Sequence, residues 1–382
     1  MREARTRWAV GATIGLVVAS LACKQASELL DKAPGDAKQE QKSTRKTSAS
    51  ANASATAPAP PPPRYAKTFA KVEKAACKAL GKGQWVALTW ASGDLWDDDP
   101  AWVYFVSGRV IKRIRKSDAK IQEILRANLG PNDTIGGISI HDEGLYFTMK
   151  GDLTFLARDA MAHMSNPATK LLAAGLGQAL AEDEKYWYAG RYDKAGKQDQ
   201  LTRTAKGGDG KVDVLYRVAR PPDLGSPRGI NAIQVDGQHV YFSHASSLSL
   251  YQGPKVPGEA RRIHDAQDRI DRLKADDTHL YFTIRHDQVE RRIFQRLPKT
   301  GGEPLVFGLA PSFFDFRLTD DAVTFAEFRD SRTHLVKKSK AGKLLEDYGE
   351  NSREIVLFDD DCVYGVGEGG MMPTLFAKEL AK

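Results

Sequence analysis

The chain of 382 residues is long enough for two ordinary domains or one large repeat domain, and its 41% hydrophobic content is that of a globular protein. The formal net charge of +7 is unevenly placed: three arginines against one glutamate precede Cys23, seven basic against four acidic residues lie between Lys24 and Arg64, and 46 basic residues face 44 acidic ones in the remainder. A body so nearly balanced, with both signs interspersed, has no electrostatic footprint for nucleic acid, and no nucleic-acid partner is expected.

Residues 1–22 run from a cationic stretch (Arg2, Arg5, Arg7) through an apolar core, Trp8 to Val18, to the small residues Ala19, Ser20 and Ala22. This is the pattern of a removable secretory signal peptide, and the apolar run is short of the roughly 20 residues that a membrane span needs. Ala19-Ser20-Leu21-Ala22-Cys23 resembles the lipobox of bacterial lipoproteins, although Ser20 stands where that family prefers Leu. The resemblance implies that Cys23 becomes the mature N-terminus and carries fatty acyl chains (palmitate and its like) that hold the protein on a membrane. Lys24 directly after it goes, in that family, with the outer membrane. The alternative is an ordinary signal peptide cut near Ala22, with Cys23 incidental.

Residues 23–64 form a polar, Ala/Ser-rich tract ending in Ala57-Pro58-Ala59-Pro60-Pro61-Pro62-Pro63. Too few apolar groups are present to offset ordering entropy, so the tract is expected to be a disordered tether with an extended proline end.

Residues 65–382 repeat a phrase: an acidic turn, then an apolar-aromatic triplet. The triplets centre on Tyr104, Tyr146, Trp187, Tyr241, Tyr281, Thr324 and Tyr364. Six spacings, five of them between 40 and 43, match a β-propeller blade and not a solenoid coil. The expectation is an all-β propeller of about seven four-stranded blades, with six or eight as alternatives because the first copy lacks a leading Asp at the usual place. Trp85 to Trp90 reads as the inner strand of the first unit. The long third spacing, Trp187 to Tyr241, reads as an exposed insertion, Arg191 to Lys211, whose Gly-Gly-x-Gly-Lys run lacks the strand-to-helix context of a phosphate loop.

The last unit ends without an outer strand, so one must come from the N-terminal side, with Tyr65 to Leu80 as donor. Cys77 and Cys362 sit at the two ends of the body in a compartment that permits disulfides, and are expected to bond and clasp the closing blade; two unpaired buried thiols are the alternative. The body resembles exported propeller-repeat proteins of Gram-negative bacteria over about Trp85 to Leu380, a resemblance of rhythm that implies no site.

The eight histidines show no His-Glu-x-x-His, and there is no Gly-x-Ser-x-Gly elbow. Asp97-Asp98-Asp99 and Asp359-Asp360-Asp361 lack calcium-loop spacing and read as solvated turn charge. No catalytic residue, cofactor or metal is called for. Two functions remain: an envelope-anchored, non-enzymatic binding or scaffold propeller for a protein, peptide or glycan, or a metal-dependent, lactonase-like hydrolase whose ligands would come from inner-strand ends such as His141, Asn231 and Asp315.

Overall fold

Short runs of aromatic and β-branched residues between Asp and Gly turns cannot bury a face alone, and pair into antiparallel sheets that stack on one another. The computed structural model describes residues 86–90, 95–130, 133–162, 167–220, 229–286, 291–311, 315–351, 354–358, 362–368 and 373–379. Their strands make five four-stranded sheets and one of eight, which divides at the single pair Leu309–Phe328 into two four-stranded units; the seven units span 95–126, 135–173, 179–219, 230–265, 270–311, 316–350 and 354–379, the last joined by 86–90, and are numbered here as blades one to seven. The first strands of neighbouring blades contact one another around the ring, which makes them the innermost layer. The fold is the β-propeller expected from the repeat.

Each triplet forms the second strand of its blade, and the core lies between blades. Tyr104 and Ile111 of blade one pack with Leu145 and Phe147 of blade two, and Phe294 of blade five packs with Phe325 of blade six. The ring is sealed where Val103 and Phe105 meet Tyr364 and Ala377 of blade seven. Each fully buried aromatic contributes roughly 1.5–3 kcal/mol of transfer free energy, so these layers carry most of the stability. Blades two and three approach so closely that a Cβ on Gly137 would lie 2.6 Å from that of Leu180, which explains the Gly136-Gly137 pair on an inner strand.

Three expectations are corrected. The segment Val86–Trp90 is not the inner strand of blade one; it pairs antiparallel with Pro373–Glu379 and supplies the outer strand that blade seven owes. The inner strand of blade one is Leu95–Asp98, hidden in the sequence because three aspartates in a row look like a turn. They are not solvated: the Asp97 carboxylate accepts the Ile140 amide at 2.8 Å, Asp98 pairs with Lys116 at 2.6 Å, and Asp99 is 1% exposed. The region 191–211 is mostly strand, and only its heart, Lys206 to Lys211, is the exposed turn expected. The strands Tyr186–Asp193, Gln198–Ala205 and Val212–Ala219 are long, and Leu201 and Thr202 at their centre are fully buried. The proposed donor Tyr65 to Leu80, Cys77 and the run Asp359 to Asp361 lie outside the described residues, as do residues 1–64 with Cys23.

Candidate functional site

In an up-and-down blade the turns from first to second strand and from third to fourth leave the ring on the same side, and a repeated polar clasp is built there. Asp99, Asp183, Asp236 and Asp276 each follow a first strand and stand five residues before Tyr104, Tyr188, Tyr241 and Tyr281. One carboxylate oxygen takes two amides of its own turn, as Asp236 takes those of Gln238 and His239 at 2.8 and 2.7 Å. The other takes the tyrosine hydroxyl, at 2.8–3.1 Å across the four copies. A cation from the third-to-fourth turn of the next blade completes the clasp: Arg158, Lys255, Lys299 and Lys340 reach Asp99, Asp183, Asp236 and Asp276 at 2.7, 2.7, 2.6 and 2.8 Å. Asp99 is thus the leading Asp the first copy seemed to lack. Tyr188, not Trp187, is the repeat residue of blade three.

Burial works against ionisation of these acids, yet the Lys299 ammonium and the turn amides hold Asp236 down to about 2, and Lys340 with its turn amides holds Asp276 well below the usual carboxylate range. An open hollow of about 260 Å³ lies over the Asp236 clasp, lined by Gln238, His239, Arg261, Asp277 and Thr300 among others.

His141 occupies the clasp position of blade two. There the carboxylate comes from Glu182 of blade three, which meets His141 Nε2 at 2.9 Å, accepts Ser139 Oγ at 2.6 Å and pairs with Lys206. Burial opposes its charge, but His141, Lys206 and Ser139 bring Glu182 down to about 2. Blade six has Thr319 and Thr324 in place of the Asp–Tyr pair.

Asn231 donates to the Ile270 carbonyl at 2.7 Å and to Asp271 Oδ1 at 3.0 Å, and accepts Ser243 Oγ at 2.9 Å. Asp315 pairs with Lys274 at 2.8 Å, and its amide donates to the Ile355 carbonyl at 2.9 Å. His141, Asn231 and Asp315 therefore lie on separate blades and each stitches one blade to the next. The structure does not gather them, and no group of three His, Cys, Asp or Glu side chains fit to hold a metal ion occurs among the described residues. Cys362 opens the second strand of blade seven, 2% exposed.

The other side of the ring holds a further cluster, one that no sequence motif announces. Asp199, 1% exposed, accepts Arg220 Nε and Nη2 at 3.0 and 2.7 Å and faces His244 Nε2 at 3.0 Å, while His244 Nδ1 faces Ser247 Oγ at 2.9 Å. This strut joins blades three and four; Asp199 and His244 are 45 residues apart.

Seven large hydrophobic side chains stand exposed among the described residues, and five belong to consecutive blades: Val256 of blade four, Leu305 and Val306 of blade five, Leu344 and Leu345 of blade six. Each set sits in or just after the turn that supplies Lys255, Lys299 or Lys340. Leu305 Cδ2 lies 3.9 Å from the position of a Cβ on Gly342, so the patches of blades five and six adjoin.

No family model matches the chain, and no curated protein matches it in sequence. Solved structures match in fold. A chain of the mitotic checkpoint complex aligns at 10% identity with a TM-score of 0.53, over 82% of this chain and 98% of that one. Streptogramin B lyase aligns at 11% and 0.52 over 78% and 98%, and oligogalacturonate lyase in complex with manganese at 10% and 0.50 over 79% and 98%. Enzymes and non-enzymes share the architecture at this distance, so these likenesses speak for fold alone.

Proposed function

We propose that this chain is an envelope protein, carried to a membrane surface by its signal segment, held there by acylated Cys23 and the tether of residues 23–64, whose propeller binds a protein partner without catalysing a reaction. The observation that carries the reading is the aliphatic arc Val256, Leu305, Val306, Leu344 and Leu345, exposed between 36 and 56% along one side of three consecutive blades. Soluble surfaces expose isolated aliphatic residues freely, but adjoining patches rimmed by polar groups, as those of blades five and six are at Leu305 and Gly342, mark an interaction surface. Lys255, Lys299 and Lys340 supply that rim, fixed in place by their clasps. A protein or peptide suits the arc better than a glycan, because sugars pack on exposed aromatic faces, and Tyr192 is the one aromatic among the seven exposed hydrophobics.

The test is affinity isolation from cell envelopes using the full chain, beside a Leu305→Asp/Leu345→Asp variant with unchanged melting behaviour. One partner recovered at constant stoichiometry with the wild type and lost with the variant supports the reading. Equal recovery with both chains removes the arc from the function.

A further inference from the structure

The seven inner strands carry three basic residues, and all three lie on the adjacent blades five and six: Arg272, Lys274 and Arg317. Lys274 is taken by Asp315 and by the Phe316 carbonyl. The acids nearest in sequence are likewise engaged: Asp271 is held by Arg269, Arg292 and Asn231. Arg272 differs. Among the described inner-strand residues it alone is classed as exposed, and it has no hydrogen-bond or ion-pair partner among the described residues. An inner strand has its own sheet on one edge and the axis of the ring on the other, so exposure there is exposure to the central channel.

The backbone at this point is unusual as well. Arg272 is the extra residue of a bulge that the inner strands of blades two, four and seven also carry, at Gly136, Asn231 and Val356, but its backbone differs from theirs. Its φ is +47°, and it is the only non-glycine residue with positive φ inside a strand of the described chain; the others stand in turns. Bulges re-aim side chains, and a left-handed conformation for a long side chain persists only where something else over-determines it. At this bulge Arg272 is exposed, whereas Asn231 at the matching bulge of blade four hydrogen-bonds to blade five.

We infer that Arg272 is the anchor of an anion site in the channel, taking a carboxylate or phosphate group of a ligand that enters the ring. A planar guanidinium without a protein carboxylate is suited to grip such a group by two parallel hydrogen bonds. The site is separate from the aliphatic arc, so a ligand here and a protein partner on the rim are compatible.

The experiment is titration of the full chain with inorganic phosphate and, separately, citrate, against sodium chloride at matched ionic strength, read by calorimetry and by melting temperature. The variants are Arg272→Gly, which suits the positive φ and removes the cation, and Lys343→Gln on an exposed turn as control. Binding of either anion by wild type and Lys343→Gln, weakened at least tenfold in an Arg272→Gly protein that melts no lower than wild type, supports the site. Which anion binds separates phosphate from carboxylate chemistry. No anion-specific binding by the wild type, or equal binding by Arg272→Gly, overturns it.

Discussion

Lys340 of blade six reaches back to blade five and places its ammonium 2.8 Å from the carboxylate of Asp276. The same oxygen accepts the hydroxyl of Tyr281, so one acid joins a turn, a core aromatic and the neighbouring blade. Replacing Asp276 by Ala leaves a half-buried ammonium and a buried hydroxyl without their acceptor, and is expected to cost about 2–3 kcal/mol. Tyr281→Phe removes a single hydrogen bond and should cost about 1 kcal/mol. Urea unfolding of both variants checks the ranking; equal losses would mean that the ion pair adds nothing to the hydroxyl bond.

Asp236 and Glu182 are both held down to about 2 in the folded chain, against about 4 in an unfolded one. A depressed folded value contributes stability that is complete above the unfolded pKa and is lost as pH falls toward the folded one. The urea midpoint should therefore be insensitive to these groups above about pH 5 and fall between about pH 4 and pH 2. Lys299→Met, which removes the ammonium beside Asp236, should lower stability near neutrality and flatten that acid slope. A parallel slope in wild type and variant would show that the pair does not set it.

Asp199 accepts both Arg220 and His244 with 1% of its surface exposed. Asp199→Ala strands a guanidinium in the seam between blades three and four and is expected to cost about 3–5 kcal/mol. Adding Arg220→Leu should recover part of the loss. Thermal melts of the single and double variants test this.

The proposed Cys77–Cys362 disulfide would close most of the ring, and in the chain-entropy model such a loop contributes about 4–5 kcal/mol. Intact mass before and after reduction should differ by two hydrogens, with a lower melting temperature in the reduced chain. Alkylation of both Cys77 and Cys362 in the unfolded, unreduced protein would exclude the bond. The same mass spectrum reports whether Cys23 is acylated, and Cys23→Ala should abolish any lipid mass.

The ring itself was legible because a blade repeats one local solution: strand, acidic turn, aromatic strand. Every second strand lies where its triplet is found. What could not be read was whatever one blade does for another. Arg158, Lys255 and Lys299 look like solvated turn charges, and their acids stand 59, 72 and 63 residues away. His141, Asn231 and Asp315 stand at inner-strand ends, as expected; their chemistry is spent on holding neighbouring blades, since the narrow centre of a ring brings polar groups of different repeats together. Leu95–Asp98 is illegible for the same reason, as its acids answer to residues of other strands and blades. Arg272 gave no signal either, because a bulge is set by pairing and not by residue type.

Val86 pairs with Ala377, nearly three hundred residues downstream. During synthesis the strand that leaves the ribosome early must therefore wait for the last blade before it has a partner, and contacts of such high sequence separation are slow to form. Val-Ala-Leu-Thr-Trp is meanwhile an apolar segment of high β propensity with no charge to guard it, free to add itself to the edge of another copy's unfinished ring. Assembly of this protein is thus timed by its final strands, and a chain cut short near its C-terminus would offer neighbours both an open socket and a loose strand to fill it.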